Sequence, residues 1–166
     1  MASFSIKQNY KNKQEYGTSK YIFKMLENFV DKKMIIYEPF WLDGKSKTYL
    51  NELGYHNVIH HNECFFENYD KYKYDIIISN PPFNIKKRIF QKLYLIDKPF
   101  IMIVPVSIIS KLFIKEIFKN DIDKIQLIIP NRRLHFEKDG QVANRCWFDC
   151  VFFCYKLNLN STIVYL

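Results

Sequence analysis

The sequence predicts an α/β layer fold with a mostly parallel sheet. Short, almost continuously apolar runs, suited to strands buried on both faces, alternate with segments whose apolar residues recur at helical spacing. Two strand-like runs near the end of the chain follow one another with no helical segment between them, which predicts an antiparallel pair there. The scale fits one domain: 166 residues, 48% hydrophobic and 17% aromatic, supply a sizeable core and argue against global disorder. No repeat, low-complexity tract or Gly/Ser linker divides the chain, so residues 1–166 read as a single domain with a loose polar head at residues 1–13.

Residues 18–30 (TSKYIFKMLENFV) offer Thr18 or Ser19 as a cap, then Ile22, Met25, Leu26, Phe29 and Val30 on one helical face. Residues 33–40 (KMIIYEPF) are a short apolar run stopped by Glu-Pro, a first buried strand. Residues 45–54 read as a helix closed by Gly54. Residues 57–61 and 74–79 are the second and third strands, and residues 85–96 an amphipathic helix. The run at 99–106 (PFIMIVPV) has the unbroken apolar character of a strand in mid-sheet. A helix over 107–119 follows, then strands over 124–130 and 144–156, the antiparallel pair, joined by NRRLHFEKDGQVA.

Lys, Asn, Ile, Tyr and Phe are abundant and glycines number only 4, a mix that AT-rich coding also produces. The formal net charge of +8 suits a polyanionic partner such as nucleic acid; it equally suits lysines spread over solvated faces. No apolar run approaches the roughly 18 residues of a membrane span. The N-terminus lacks an apolar signal-peptide core, so a cytoplasmic, reducing location and no membrane partner are expected. The cysteines are Cys64, Cys146, Cys150 and Cys154. The last three are spaced unlike paired zinc ligands, and in a strand they share one face as small hydrophobes. Of His56, His60, His61 and His135 only His56 and His60 stand four apart, and they fall on a segment read as a strand, not a helix, so no metal is expected.

In open α/β sheets ligands bind beyond the carboxyl ends of the strands. Three polar segments fall there: YEPFWLDG at 37–44, HHNECFFE at 60–67 and SNPPFN at 79–84. The last is the most specific. Pro81 and Pro82 leave the turn few conformations and so fix two acceptors, the Asn80 amide oxygen and the Pro81 carbonyl. Two convergent acceptors match the two hydrogens of a planar NH₂ group, and Phe83 adds a flat face on which a base can stack. Asn-Pro also opens many ordinary turns.

Through Asn80, Pro81, Pro82 and Phe83 the chain resembles the class I S-adenosylmethionine-dependent methyltransferases, the N6-adenine DNA methyltransferases above all, whose signature is (D/N/S)-P-P-(Y/F/W). The resemblance implies a Rossmann-like class I methyltransferase fold, a mostly parallel sheet with an antiparallel C-terminal hairpin. It implies S-adenosyl-L-methionine as cofactor and direct transfer of its methyl group to the adenine amine, with these four residues catalytic. YGTSKYIFKML at 16–26 looks like the segment that approaches the methionine end of the cofactor, which assigns Tyr16 and Thr18 to it. YEPFWLDGKS at 37–46 looks like the cofactor loop acidic-x-F-x-G-x-G, which assigns Glu38, Pro39, Phe40, Asp43 and Gly44. Asn80 is shared by both sites, and Phe65 is implied as a wall of the adenine pocket. PNRRLHFEKDG at 130–140 looks like a late hairpin of phage-type adenine methyltransferases.

Departures from the pattern are Leu42 at the first loop glycine, Cys64 where an Asp often precedes the Phe, and His60, His61 and Asn62 where an acidic residue usually binds ribose. Lys86, Lys87 and Arg88, and Arg132 and Arg133, are candidate phosphate contacts to DNA; the first three equally suit a solvated helix face. RNA is a possible partner in place of DNA. The segment between motif and hairpin is too short for a recognition domain, so a homodimer or a recognition subunit is a further expectation. Methylation of RNA bases or protein glutamine remains open, as does a catalytically silent subunit of the same fold.

Overall fold

The structure, a computed structural model, describes residues 16–138, 141–143 and 148–166. The expected loose head, Cys146 and the first residues of the last predicted strand lie outside the described residues.

The strands are β1 (Ile36–Tyr37), β2 (Val58–Ile59), β3 (Ile76–Ser79), β4 (Phe100–Pro105), β5 (Ile125–Ile129), β6 (Glu137–Lys138), β7 (Gln141–Val142), β8 (Cys150–Tyr155) and β9 (Ile163–Tyr165). The helices are α1 (Lys20–Lys24), α2 (Lys45–Glu52), α3 (Phe65–Asn68), α4 (Lys86–Ile96) and α5 (Leu112–Ile117). Seven strands form one sheet in the order β2-β1-β3-β4-β8-β5-β9, and β6 pairs with β7 apart from it. Pairing is parallel from β2 through β4 and between β5 and β9; β8 runs antiparallel to both its neighbours. The fold is thus α/β with a mostly parallel sheet. The antiparallel partner of β5 is present as expected, and it lies between β4 and β5.

Strands β3, β4 and β8 are buried at every position, which is why they read as continuous apolar runs. Alternation along them splits the core in two. Ile76, Ile78, Ile101, Ile103, Phe152 and Cys154 face α1 and α2 through Ile22, Phe23 and Leu50. Ile77, Phe100, Met102, Val104, Phe153 and Tyr155 face α4 and α5 through Ile89, Phe90, Leu93, Ile114 and Phe118. Phe90 is fully buried, with the rings of Phe153, Phe100 and Phe118 edge-on at 5.0, 6.1 and 6.3 Å. Burial of one such side chain contributes about 1.5–3 kcal/mol. Cys150 and Cys154 share one core as the alternation requires, and burial pushes the Cys154 thiol pKa far up.

Three elements differ from expectation. The first helix is regular only over Lys20–Lys24; beyond it the chain continues in turns, with Leu26 N–H on Phe23 O and Phe29 N–H on Leu26 O, both 3.0 Å. The helix expected at 107–119 breaks into a 3-10 segment, Val106–Ser110, an extended Lys111 and then α5. The Ser110 hydroxyl donates to Ser107 O at 2.9 Å, a local bond that competes with a continuing helix. Finally α3, the β6–β7 pair and β9 carry no clear periodic signal, being two to four residues long. Among the described residues no helix is long and apolar enough to cross a membrane.

Candidate functional site

The chain leaves β1 towards β2 on one side, and leaves β3 towards β4 on the other. The carboxyl ends of β1 and β3 therefore flank the crevice in which open α/β folds bind ligands. A cleft of about 360 Å³, its open mouth included, lies there. Glu38 and Asn80 line it from the strand ends. Phe40, Leu42 and Asp43 line it from the loop after β1, Lys45 and Ser46 from the first turn of α2, and Tyr16, Gly17, Thr18 and Glu137 close the remaining side.

That closing side is built by long-range bonds. Gly17 N–H donates to Glu137 O at 2.7 Å, and Glu137 N–H returns to Gly17 O at 2.8 Å. The Ser19 hydroxyl donates to His135 O at 3.0 Å. The Tyr49 hydroxyl donates to Glu137 Oε2 at 2.9 Å; burial and that carboxylate push the phenol pKa up to about 12.

At the β3 end, Asn80 Nδ2 donates to Tyr16 O at 3.2 Å. The opposite atom, Oδ1, is buried without a hydrogen-bond partner among the described residues. An unpaired buried acceptor is costly unless something completes it. Pro81 is buried, and Pro82 holds φ −61° at the entrance to the 3-10 turn Phe83–Ile85. Phe83 is half-buried, edge-on to Phe148 at 5.4 Å, with Lys86 Nζ 5.5 Å from its ring centroid.

At the β1 end, Glu38 is buried and turned inward. Its Oε1 accepts from Phe40 N–H at 3.1 Å and from the Ser79 hydroxyl. His60, directly after β2, sets Nδ1 2.8 Å from Glu38 O and 2.7 Å from Glu38 Oε2. One proton on Nδ1 serves the carbonyl, so Oε2 keeps a charge contact without a hydrogen bond. Burial works to lower the His60 pKa, yet the adjoining Glu38 carboxylate and carbonyl outweigh it and the net shift is upward. Trp41 stacks on His60, centroids 4.7 Å apart and planes at 28°. Asp43 Oδ1 accepts from Lys45 N–H at 3.1 Å, an Asx-type turn leading into α2, whose N-cap is Gly44. Gly44, at φ +81°, presses against Trp41, and a Cβ there would lie 2.6 Å from the indole.

The structure thus gathers Tyr16, Thr18, Glu38, Phe40, Asp43 and Asn80 around one cleft, with Gly44 at its edge. Pro39 is buried and does not line it. Phe65 does not line this cleft: it is 2% exposed, packs edge-on to Phe40 at 5.3 Å, and α3 carries it into the aromatic cluster around Tyr37. Leu42 is 46% exposed, does not take a positive φ, and packs near Gly17.

The basic candidates are dispersed. Lys86 is half-buried beside Phe83, its amine pKa lowered by burial and by Lys111. Lys87 is exposed, and Arg88 lies 4.1 Å over the Phe66 ring. Arg132 lies 4.9 Å over Tyr21. Arg133 donates from Nε to Asp149 at 2.8 Å, so part of its charge is already engaged. Sequence reasoning missed Gly17, Lys45, Ser46 and Glu137. Lys45 and Ser46 follow the Asp-Gly that opens a helix, where backbone N–H groups face a ligand, so that signal was present. Glu137 carried none, since only its bridge to Gly17 brings it in. Neither the family models nor the curated proteins compared with the chain give a match.

Proposed function

We propose that the chain is an S-adenosylmethionine-dependent methyltransferase acting on the N6 amine of adenine in DNA. The observation that carries this reading is Asn80 Oδ1, a buried acceptor without a partner at the switch-point cleft, followed by two prolines and an aromatic face. Tyr16 O holds the amide nitrogen, so the oxygen is the atom left for an incoming N–H. The same cleft supports a site for the cofactor's amino-acid half: Thr18, Asp43 and the first turn of α2 offer donors and acceptors, and Phe40 an apolar wall. Bound there, S-adenosylmethionine supplies an electrophilic methyl group.

The chain's own part is positioning. Asn80 Oδ1 accepts one amine hydrogen and stabilises the positive charge that grows on nitrogen. Phe83 stacks on the base, and its ring face favours the same charge. The proline turn keeps both in register, turning an encounter into an oriented pair. The adenine leaves its stack to reach them. Lys86, 5.5 Å from the Phe83 ring centroid and close enough to Lys111 to feel its charge, puts positive charge beside Phe83, which favours a nucleic acid over a peptide.

A second reading, a silent subunit of the same fold, is favoured by Leu42 and Trp41, which crowd the loop where small residues would admit a cofactor. Calorimetry with S-adenosylhomocysteine separates the two: binding supports the enzyme, and its absence supports the silent fold. Methyl transfer to DNA, RNA and protein pools then tests the substrate.

A further inference from the structure

The His60 imidazole is 3% exposed, and its Nε2 has no hydrogen-bond partner among the described residues. What covers it is the chain's own indole. Trp41 stacks on the ring at 4.7 Å, remains 40% exposed, and makes no hydrogen bond through its N–H among the described residues. His60 sits at the end of β2, beside β1. In sheets of this kind that place presents a polar side chain to the ribose of a bound nucleotide. A flat, polar-edged platform at a nucleoside position is therefore occupied by a flat side chain held only by stacking and packing.

We infer that Trp41 is a movable cover over a purine-nucleoside site whose floor is His60. This rests on the cofactor reading above and adds to it the residue that gates the nucleoside half. When the indole swings out, a purine replaces it on the imidazole face, and a ribose hydroxyl meets Nε2. The cleft described above serves the amino-acid half and stays open throughout. Its lining includes neither Trp41 nor His60. Gly44 permits the arrangement, since any Cβ there would meet the indole at 2.6 Å.

The test labels the full chain with 5-fluorotryptophan and assigns the Trp41 ¹⁹F resonance by its loss in Trp41→Phe. Adenosine, methionine and S-adenosylhomocysteine are titrated separately, with calorimetry in parallel on wild type and Trp41→Ala. Adenosine and S-adenosylhomocysteine should move the Trp41 resonance, and methionine should leave it in place. Trp41→Ala should bind adenosine about tenfold more tightly, because the cost of opening the cover is gone. Weaker or unchanged adenosine binding by Trp41→Ala overturns the inference. So does S-adenosylhomocysteine binding with the Trp41 resonance fixed, and in that case the methyltransferase reading stands alone. Adenosine binding to Trp41→Ala without any binding of S-adenosylhomocysteine to either form supports the cover and overturns the cofactor reading. No binding of any adenosine compound to either form overturns both.

Discussion

The ends of β1 and β3 lie side by side, and each passes from buried apolar residues to a polar one. They use that residue in opposite ways. After β3, two prolines hold the backbone, and Asn80 is left with an oxygen that nothing in the described chain satisfies. After β1, the Glu38 carboxylate is taken up by Ser79, by the Phe40 amide and by His60, and Trp41 packs over the result. The first end is stiff and incomplete, and a ligand completes it without rearrangement. The second is already covered by Trp41, with Glu38 Oε2 and His60 Nε2 left without hydrogen bonds among the described residues, so a ligand reaching the His60 face must displace a side chain. A pre-organised β3 end and a self-occupied β1 end can coexist because the first is fixed by covalent rings and the second only by contacts.

The contrast breaks most severely at Glu38. Glu38→Ala leaves the Ser79 hydroxyl buried without its acceptor and removes the carboxylate facing His60, which keeps its bond to the backbone carbonyl of residue 38, and loss of one member of a buried pair costs roughly 3–5 kcal/mol. Denaturant unfolding should show a loss of that size; a change under about 1 kcal/mol would mean that the cluster is not holding the β1 end. Asn80→Ala should do the reverse. Only one hydrogen bond to Tyr16 O is lost, so the thermal midpoint should hold within a few degrees, while turnover falls on the order of a hundredfold or more. Equal loss of stability and activity would erase the distinction between the two ends.

A pH titration sharpens it. The His60 pKa is raised on folding from its ordinary 6.5. Its stabilising share is therefore full below pH 6.5 and is lost as pH climbs through the higher folded value. Glu38 is the charge that favours the imidazolium, and Lys47 opposes it. The wild-type thermal midpoint should drop across that window, and His60→Gln should flatten the drop; a parallel drop in both forms assigns it elsewhere. The smallest effect is expected from Leu42→Gly. Leu42 is exposed and already at an unstrained φ, so affinity for S-adenosylhomocysteine should change by less than about tenfold, while added loop freedom costs a few tenths to 1 kcal/mol. Binding that appears only in Leu42→Gly would make the wild type a silent fold.

The stiff turn after β3 was legible in the sequence, and the stacked cluster after β1 was not. Asn80-Pro-Pro-Phe83 is a local motif whose rigidity follows from proline geometry. The apolar strands β3 and β4 announce themselves because every position is buried. By contrast, the Trp41–His60 stack and the Gly17–Glu137 bridge join residues from separate elements, and no periodicity records such contacts. The packing of Phe65 was hidden for the same reason: in sequence an aromatic side chain suits a cleft wall or an aromatic core equally well, and only α3 carries it into the cluster around Tyr37. The insertion of β8 between β4 and β5 was hidden too, since the apolar pattern of a strand is the same in the middle of a sheet beside either neighbour.

The central claim is that Asn80 presents an acceptor to an exocyclic amine. Transfer of radiolabelled methyl from S-adenosylmethionine to unmethylated DNA, followed by nucleoside digestion and chromatography, tests it most directly. The account predicts label in N6-methyladenine with wild type, and a loss on the order of a hundredfold or more in folded Asn80→Ala. Label on another atom, undiminished label in Asn80→Ala, or no label at all from wild type under conditions where S-adenosylhomocysteine binds would contradict it.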